Sequence, residues 1–333
     1  MKKRISGTNS LILRFLFAAL IIYLLTLGKK KLILQTIHTT DPVWLIAAFM
    51  CFFLSFLVCV ARWHSLLKMQ DIDLSLTETF VLSMQGMFFS LVIPGAVGGD
   101  LAKAGFVSAK AGAGSKVKAV FSILIDRVIG LMGLFVLAGI LGIVSYSQIA
   151  KLSNSAKMIV TILVAGSITG IAGASVLFFH RKLEKLTPIK YLLELANKYG
   201  KSMPTLLMEA LDGYRASYVK LITWIITSAI FVHSLQGFAV YCMVIGVGHS
   251  EQQVQYVVLS ASMGNAVGAI PLTPSGFGTR DAVIAALLSA SGIEYKTAWS
   301  IALMNTGLII IFNLIGGIFF ITGGRKKQSP QTS

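Results

Sequence analysis

Residues Ile93–Lys103, IPGAVGGDLAK, interrupt an apolar chain with a proline, three glycines and two charges. Pro94 lacks a backbone N–H and disfavours helical geometry at the residue before it, while Gly95, Gly98 and Gly99 permit turns closed to other residues. Asp100 and Lys103 then open a new helix. A second stretch, Ile270–Asp281 (IPLTPSGFGTRD), follows the same plan with Pro274, Gly276, Gly278 and the charged pair Arg280-Asp281. In water such stretches are ordinary loops. Within lipid, a broken backbone is tolerated only where protein or a water-filled cavity surrounds it.

Composition decides which solvent applies. Of 333 residues, 55% are hydrophobic and 13% charged, with a mean hydropathy of +0.79. Several apolar runs approach or exceed the ~20 residues that cross a bilayer core of ~30 Å. The net charge of +16 is read as the excess of Lys and Arg in cytoplasmic loops, not as a nucleic-acid footprint. Cys51, Cys59 and Cys242 all sit inside apolar runs, with neither metal nor disulfide spacing. No polar stretch is long enough for a soluble domain, so residues 1–333 are expected to form one integral membrane domain.

Outward from the first break, the helix that reaches Ile93 is launched by a capping box, Ser75-x-x-Glu78. Before it lie a short polar connection, Arg62–Thr77, and a span Val43–Ala61 opened by Asp41 as N-cap and Pro42 at the first helical position. Earlier still, basic Met1–Arg4 and the apolar run Leu11–Leu27 resemble a signal peptide, but Lys29–Lys31 follow where a small-residue cleavage site belongs. An uncleaved first span is expected.

After the break, Ala102–Lys110 reads as a short helix, followed by spans at Val120–Val144 and Met158–Phe179. Asp126-Arg127 stands near the start of the first of these. The segment 181–220 carries eight Lys or Arg and alternating apolar faces, as basic amphipathic helices on an anionic membrane surface or against partner helices do. A span Leu221–Val247 comes next, then a second capping box, Ser250-x-x-Gln253, leading to the second break. Asp281–Ser291 is too short to cross, and Thr297–Ile321 is the last full span.

Gln85 lies nine residues before Pro94, and Asn265 nine before Pro274. With the paired caps and breaks, this matched placement favours an internal repeat, with halves at about 43–146 and 221–322. Charge bias tests its topology. If all eight long apolar segments cross, the 29 Lys and Arg divide 18 to 11, with neither terminus on the richer side. If 79–111 and 253–291 are re-entrant hairpins, 22 fall on one side with both termini and 7 on the other. The positive-inside rule prefers the second arrangement and makes both termini cytoplasmic. The expected fold is an all-α polytopic membrane protein: about six full transmembrane helices plus two re-entrant helical hairpins in an inverted internal repeat.

The pattern PGxxGGD followed by a Lys, the Asp126-Arg127 pair and the later PxGxGxRD resemble the lysylphosphatidylglycerol synthase transmembrane-region family. That family is the lipid-flippase half of the bacterial multiple peptide resistance factor and also occurs as stand-alone proteins. The resemblance covers roughly residues 10 to 322. It implies a flippase in the cell membrane, with a partner lipid-modifying enzyme as a further expectation. Bifunctional members carry a soluble aminoacyl-transferase domain after the membrane part. The resemblance covers only the membrane part, so lysyl transfer does not follow from it.

Chemistry at the breaks is legible without the family. A helix starting near Gly99 presents unpaired N–H groups and the positive end of its dipole, with Lys103 one turn on. Gly276, Gly278 and Arg280 offer the same, so an anionic lipid headgroup is expected between Pro94, Gly95, Gly98, Gly99, Asp100, Lys103, Asp126 and Arg127 on one side and Pro274, Gly276, Gly278, Arg280 and Asp281 on the other. A packing reading stands beside it. There Asp100 caps its helix, Lys103 pairs with Asp100 or reaches the interface, Asp126 and Arg127 pair at a helix end, and the glycines permit close approach.

His233, Gln236, Asn305 and Asn313 read mainly as packing or helix-bonding groups, and Arg62 and His64 as interfacial. Two other function classes remain. One is a transferase using a lipid-phosphate donor, supported only by Asp71-Ile-Asp73 as a metal pair. The other is a non-catalytic partner of a lipid-modifying enzyme. Beyond that pair no metal, cofactor or nucleic-acid motif is read, and no Walker loop.

Overall fold

The computed structural model describes residues 40–92, 98–110, 115–150, 212–214, 216–270 and 276–323, with isolated positions between 154 and 172. The runs Leu11–Leu27 and, for the most part, Met158–Phe179, most of 181–220, and Pro94, Gly95 and Pro274 lie outside the described residues. Those described form helices and turns, with no strand among them.

Helix α1 spans Pro42–Lys68, starting where Asp41 Oδ1 accepts a hydrogen bond from the Val43 N–H at 2.9 Å. It runs seven residues beyond the expected Ala61. The supposed polar connection continues the helix because its side chains face inward. Trp63, Leu66 and Leu67 are fully buried, and the Trp63 indole N–H donates to Ser122 Oγ at 3.1 Å.

α2 (Leu76–Val92) begins at the expected capping box. The Glu78 N–H donates to Ser75 Oγ at 3.2 Å, and the Ser75 N–H donates to Glu78 Oε2 at 3.0 Å. α3 (Gly98–Lys110) and α4 (Lys116–Val144) complete the first set.

α5 (Tyr218–Gly246) is α-helical at Tyr218–Thr227 and Ser234–Gly246, with a π-helical segment at Ser228–His233 between them. α6 (Val254–Gly268), α7 (Thr279–Ala290) and α8 (Tyr295–Gly323) follow. The second capping box does not form. Gln253 is itself the N-cap residue of α6, without a side-chain cap bond, so Ser250 lies outside the helix.

Four of these helices, α1, α4, α5 and α8, are long and apolar enough to cross a membrane. The others hold 12 to 17 residues. At ~1.5 Å per residue they reach only about 18–26 Å, short of a ~30 Å core. α1 packs on α5, α2 on α3, and α6 on α7; α8 covers α2 as α4 covers α6, and α3 meets α4 as α7 meets α8. Exchanging α1–α4 for α5–α8 leaves this set of pairings unchanged.

Among the described residues the largest apolar cluster draws mainly on α1, α5, α7 and α8, with Met84 of α2 and Val257 and Ala261 of α6. Phe312 of α8 sits among Phe52 and Phe56 of α1 with ring centroids 5.1 Å away. On the opposite side of α1, Val43, Ile46 and Met50 are exposed, as lipid-facing apolar residues are.

Candidate functional site

The first hairpin closes through glycine. Gly99, in the first turn of α3, lies against the Gly86 carbonyl of α2 so closely that a Cβ would overlap it. Gly98 is buried beside it, and the Lys103 stem crosses Gly86. The second hairpin uses the same device: Gly276, at φ +72°, rests on the Gly268 backbone of α6. Gly278, at φ +82°, precedes α7, and its N–H donates to Asp281 Oδ2 at 2.9 Å. These glycines set how near each returning helix comes to its partner.

Charges then settle on partners that lie far away in sequence. Asp100 does not pair with Lys103. It is bonded to the Arg127 guanidinium of α4. Asp126 does not pair with Arg127 either. Arg62 of α1 takes it through both Nε and Nη2, at 2.7 and 3.3 Å, and donates through Nη1 to Ser228 Oγ at 2.8 Å. Arg62 is 5% exposed, so it is a buried anchor and not an interfacial snorkelling residue. A two-pronged contact of this kind is strong because both N–H bonds are charge-assisted. Lys103, left without a carboxylate within ion-pair distance among the described residues, places its ammonium 3.9 Å from the Trp63 ring centroid.

These groups surround a cavity of about 250 Å³ between α1, α2, α3 and α4, closed on the α5 side by Gln236. Gly86, Gly99, Asp100, Lys103, Asp126 and Arg127 all line it. A second cavity of about 150 Å³ is lined by Arg280, Gln236, Asn265 and Asn305, with apolar walls. Phe52 and Gln236 border both, so the cavities adjoin. Arg280 is 6% exposed, and its Nη2 donates to Thr306 Oγ1 at 2.7 Å. That hydroxyl in turn donates to Asp281 Oδ1 at 2.6 Å. Arg280 Nε makes no hydrogen bond.

Asp100, Lys103, Asp126 and Arg127 are therefore brought together with Gly99, and Arg280 stands across the Phe52–Gln236 wall. Gly276, Gly278 and Asp281 support Arg280 from behind. Three residues were under-read in the sequence. Arg62 had a signal, because a buried carboxylate such as Asp126 in an apolar span needs a cation. Gln236 and Asn305 had only their polarity. Asn313 does bond a neighbouring helix, donating to Ser90 Oγ at 3.3 Å, and His233 Nε2 meets the Gly130 carbonyl at 2.8 Å. Asp71 and Asp73 are exposed in the turn after α1, where Asp71 has φ +57°.

Comparison with known proteins gives a consistent picture. The model of the family described as lysylphosphatidylglycerol synthase TM region matches residues 11–317. A UPF0104 membrane protein of Pyrococcus horikoshii is 24% identical over 320 residues, covering 91% of this chain and 93% of its own length. A UPF0104 membrane protein of Methanocaldococcus jannaschii is 24% identical over 329 residues, covering 92% and 91% respectively. No solved structure matches the chain.

Proposed function

Since this chain belongs to the lysylphosphatidylglycerol synthase transmembrane-region family, we propose that it is a lipid flippase of the cytoplasmic membrane, moving a phospholipid or other anionic lipid headgroup. One observation carries the reading. Two adjoining polar cavities, each holding a cation, lie between apolar helices beside the starts of the short helices α3 and α7. Intramembrane ionisable groups are costly and tend to mark a substrate path. Short discontinuous helices meeting near the midplane are the usual way to build one.

The finer architecture belongs to the same proposal. α2–α3 and α6–α7 are re-entrant hairpins entering from opposite faces, as the halves of an inverted repeat. Their lengths and the exchange symmetry of the helix pairings support this. With the spans expected outside the described residues, the chain has about six crossings and cytoplasmic termini.

The test is movement of a headgroup-labelled anionic lipid in proteoliposomes, with a neutral lipid as control. Lys103→Met and Arg280→Met should each slow it. A charge-assisted contact contributes about 1.5–3 kcal/mol, roughly ten- to a hundredfold in binding. Lys103→Arg should recover part, because charge survives while shape changes. The double variant should lose less than the sum, since both cations serve one headgroup. Parental rates in both single variants would make these residues structural and remove the proposal.

A further inference from the structure

The two cavities differ in charge, and the difference selects among lipids. Around the first, the carboxylates of Asp100 and Asp126 are each bonded to an arginine, Arg127 and Arg62. Lys103 remains, its ammonium on the Trp63 face, and leaves one net positive charge among the described lining. The sequence at that break, residues 93–97, contains no ionisable side chain, and neither does 271–275 at the other.

Beside the second cavity, Arg280 and Asp281 offset one another, 3.7 Å apart and bridged by Thr306. The rest of its polar lining is three uncharged amides, Gln236, Asn265 and Asn305. A single hydrogen bond joins them, from Asn265 Nδ2 to Gln236 Oε1 at 3.1 Å. Asn305 is 5% exposed and makes no side-chain hydrogen bond among the described residues, and the buried Arg280 Nε makes none.

Buried polar groups require partners, and each carboxamide both donates and accepts. Hydroxyl groups, which also do both, match them. An ammonium group would need an unpaired carboxylate or an open aromatic face. Among the described residues each carboxylate at hand is within ion-pair distance of an arginine. The rings in the lining, Phe52 and Phe56, already pack on Phe312, while Lys103 occupies the Trp63 face. At about 150 Å³ the second cavity is well below the ~300 Å³ of ordinary small-molecule pockets, which suits a glycerol- or monosaccharide-sized group.

We propose that the two cavities form one bipartite site for a lipid with a single phosphodiester charge and a small uncharged polyol headgroup. The phosphate lies at Lys103, and the hydroxyls meet Gln236, Asn265, Asn305 and Arg280. Zwitterionic and aminoacylated, cationic headgroups are disfavoured. The inference rests on the lipid reading of the same site and names its substrate class.

Competition binding to the full chain in mild detergent, read by native mass spectrometry, tests it without requiring transport. The probes, matched in acyl chain, are phosphatidylglycerol, phosphatidic acid, phosphatidylethanolamine and lysyl-phosphatidylglycerol, with free glycerol 1-phosphate as the soluble arm. Phosphatidylglycerol should bind at least tenfold more tightly than the ethanolamine and lysyl lipids and than free glycerol 1-phosphate. Asn305→Leu should lower phosphatidylglycerol to the level of phosphatidic acid and leave phosphatidic acid unchanged; Asn265→Ser serves the same purpose if that variant does not fold. Lys103→Met should weaken phosphatidylglycerol and phosphatidic acid together, because both place their phosphate there.

Equal or tighter binding of the lysyl or ethanolamine lipid overturns the inference. So does equal weakening of phosphatidylglycerol and phosphatidic acid by the amide variants, and so does glycerol 1-phosphate competing as well as its lipid. Selective binding without flipping would remove the transport proposal and leave this one standing; flipping without selectivity would do the reverse.

Discussion

Arg62 shows how much a single residue in a membrane interior is asked to do. Its guanidinium satisfies both oxygens of Asp126 and the Ser228 hydroxyl, so it ties α1 to α4 and to the π-helical segment of α5. Removing one partner of a buried pair strands the other charge, at a cost of about 3–5 kcal/mol. Arg62→Met should therefore lower thermal stability in detergent sharply. Adding Asp126→Leu should restore much of it, because the stranded carboxylate is gone. A double variant as unstable as the sum of the two singles would mean that the pair is not coupled. Lys103 is the contrasting case: its ammonium rests on an aromatic face, so its charge remains available to a ligand.

At the scale of elements, the hairpin of α2 and α3 is held at its open end by Glu78. The carboxylate accepts from the Lys110 ammonium at the end of α3 and from the Ser75 backbone N–H at the start of α2. These contacts, the lysine first, hold its pKa well below the usual carboxylate range, at about 2. With the folded value depressed, the contribution to stability is complete above the ordinary carboxylate pKa near 4.5. It is lost as pH falls from there towards about 2. Both side chains are at least one-third exposed, so screening limits the effect at neutral pH to roughly 0.2–1 kcal/mol. Protection factors in α2 and α3, that is, the intrinsic exchange rate at each pH divided by the observed one, should fall on acidification in the parent. Glu78→Gln should start lower at pH 7 and be flatter in its acid dependence. An unchanged acid response in that variant would place the sensitivity elsewhere.

For the whole molecule, the pairing of α2 with α8 and of α6 with α4 sets a long apolar helix beside each pair of short ones. On the proposed topology Ser108 lies on the cytoplasmic side and Glu294 outside. Single cysteines there should behave oppositely towards an impermeant thiol reagent: Glu294→Cys labels in intact cells and Ser108→Cys only after permeabilisation. Labelling of Ser108→Cys from outside would favour eight full crossings over re-entry.

Much of this architecture is local and so could be read along the chain. The Asp41 cap and the Ser75–Glu78 box depend on residues within about one helical turn of each other. The end of α1, seven residues past the expected Ala61, depends instead on what Trp63, Leu66 and Leu67 pack against. Hydropathy also revealed the membrane, but not which apolar face meets lipid. Val43 and Ile46 face outward while Phe52 and Phe56 pack inside, and both sets are equally apolar. In a bilayer the lipid is as apolar as the core, so the pattern that distinguishes the two faces of a soluble helix is weak. Charge pairing was hidden for a different reason. Local spacing offered Lys103 to Asp100 and Arg127 to Asp126, whereas the fold joined Asp100 to Arg127 and Arg62 to Asp126, across 27 and 64 residues. Only the tertiary packing brought the stronger arginine partners within reach of those carboxylates, and by doing so it left Lys103 as the uncompensated charge.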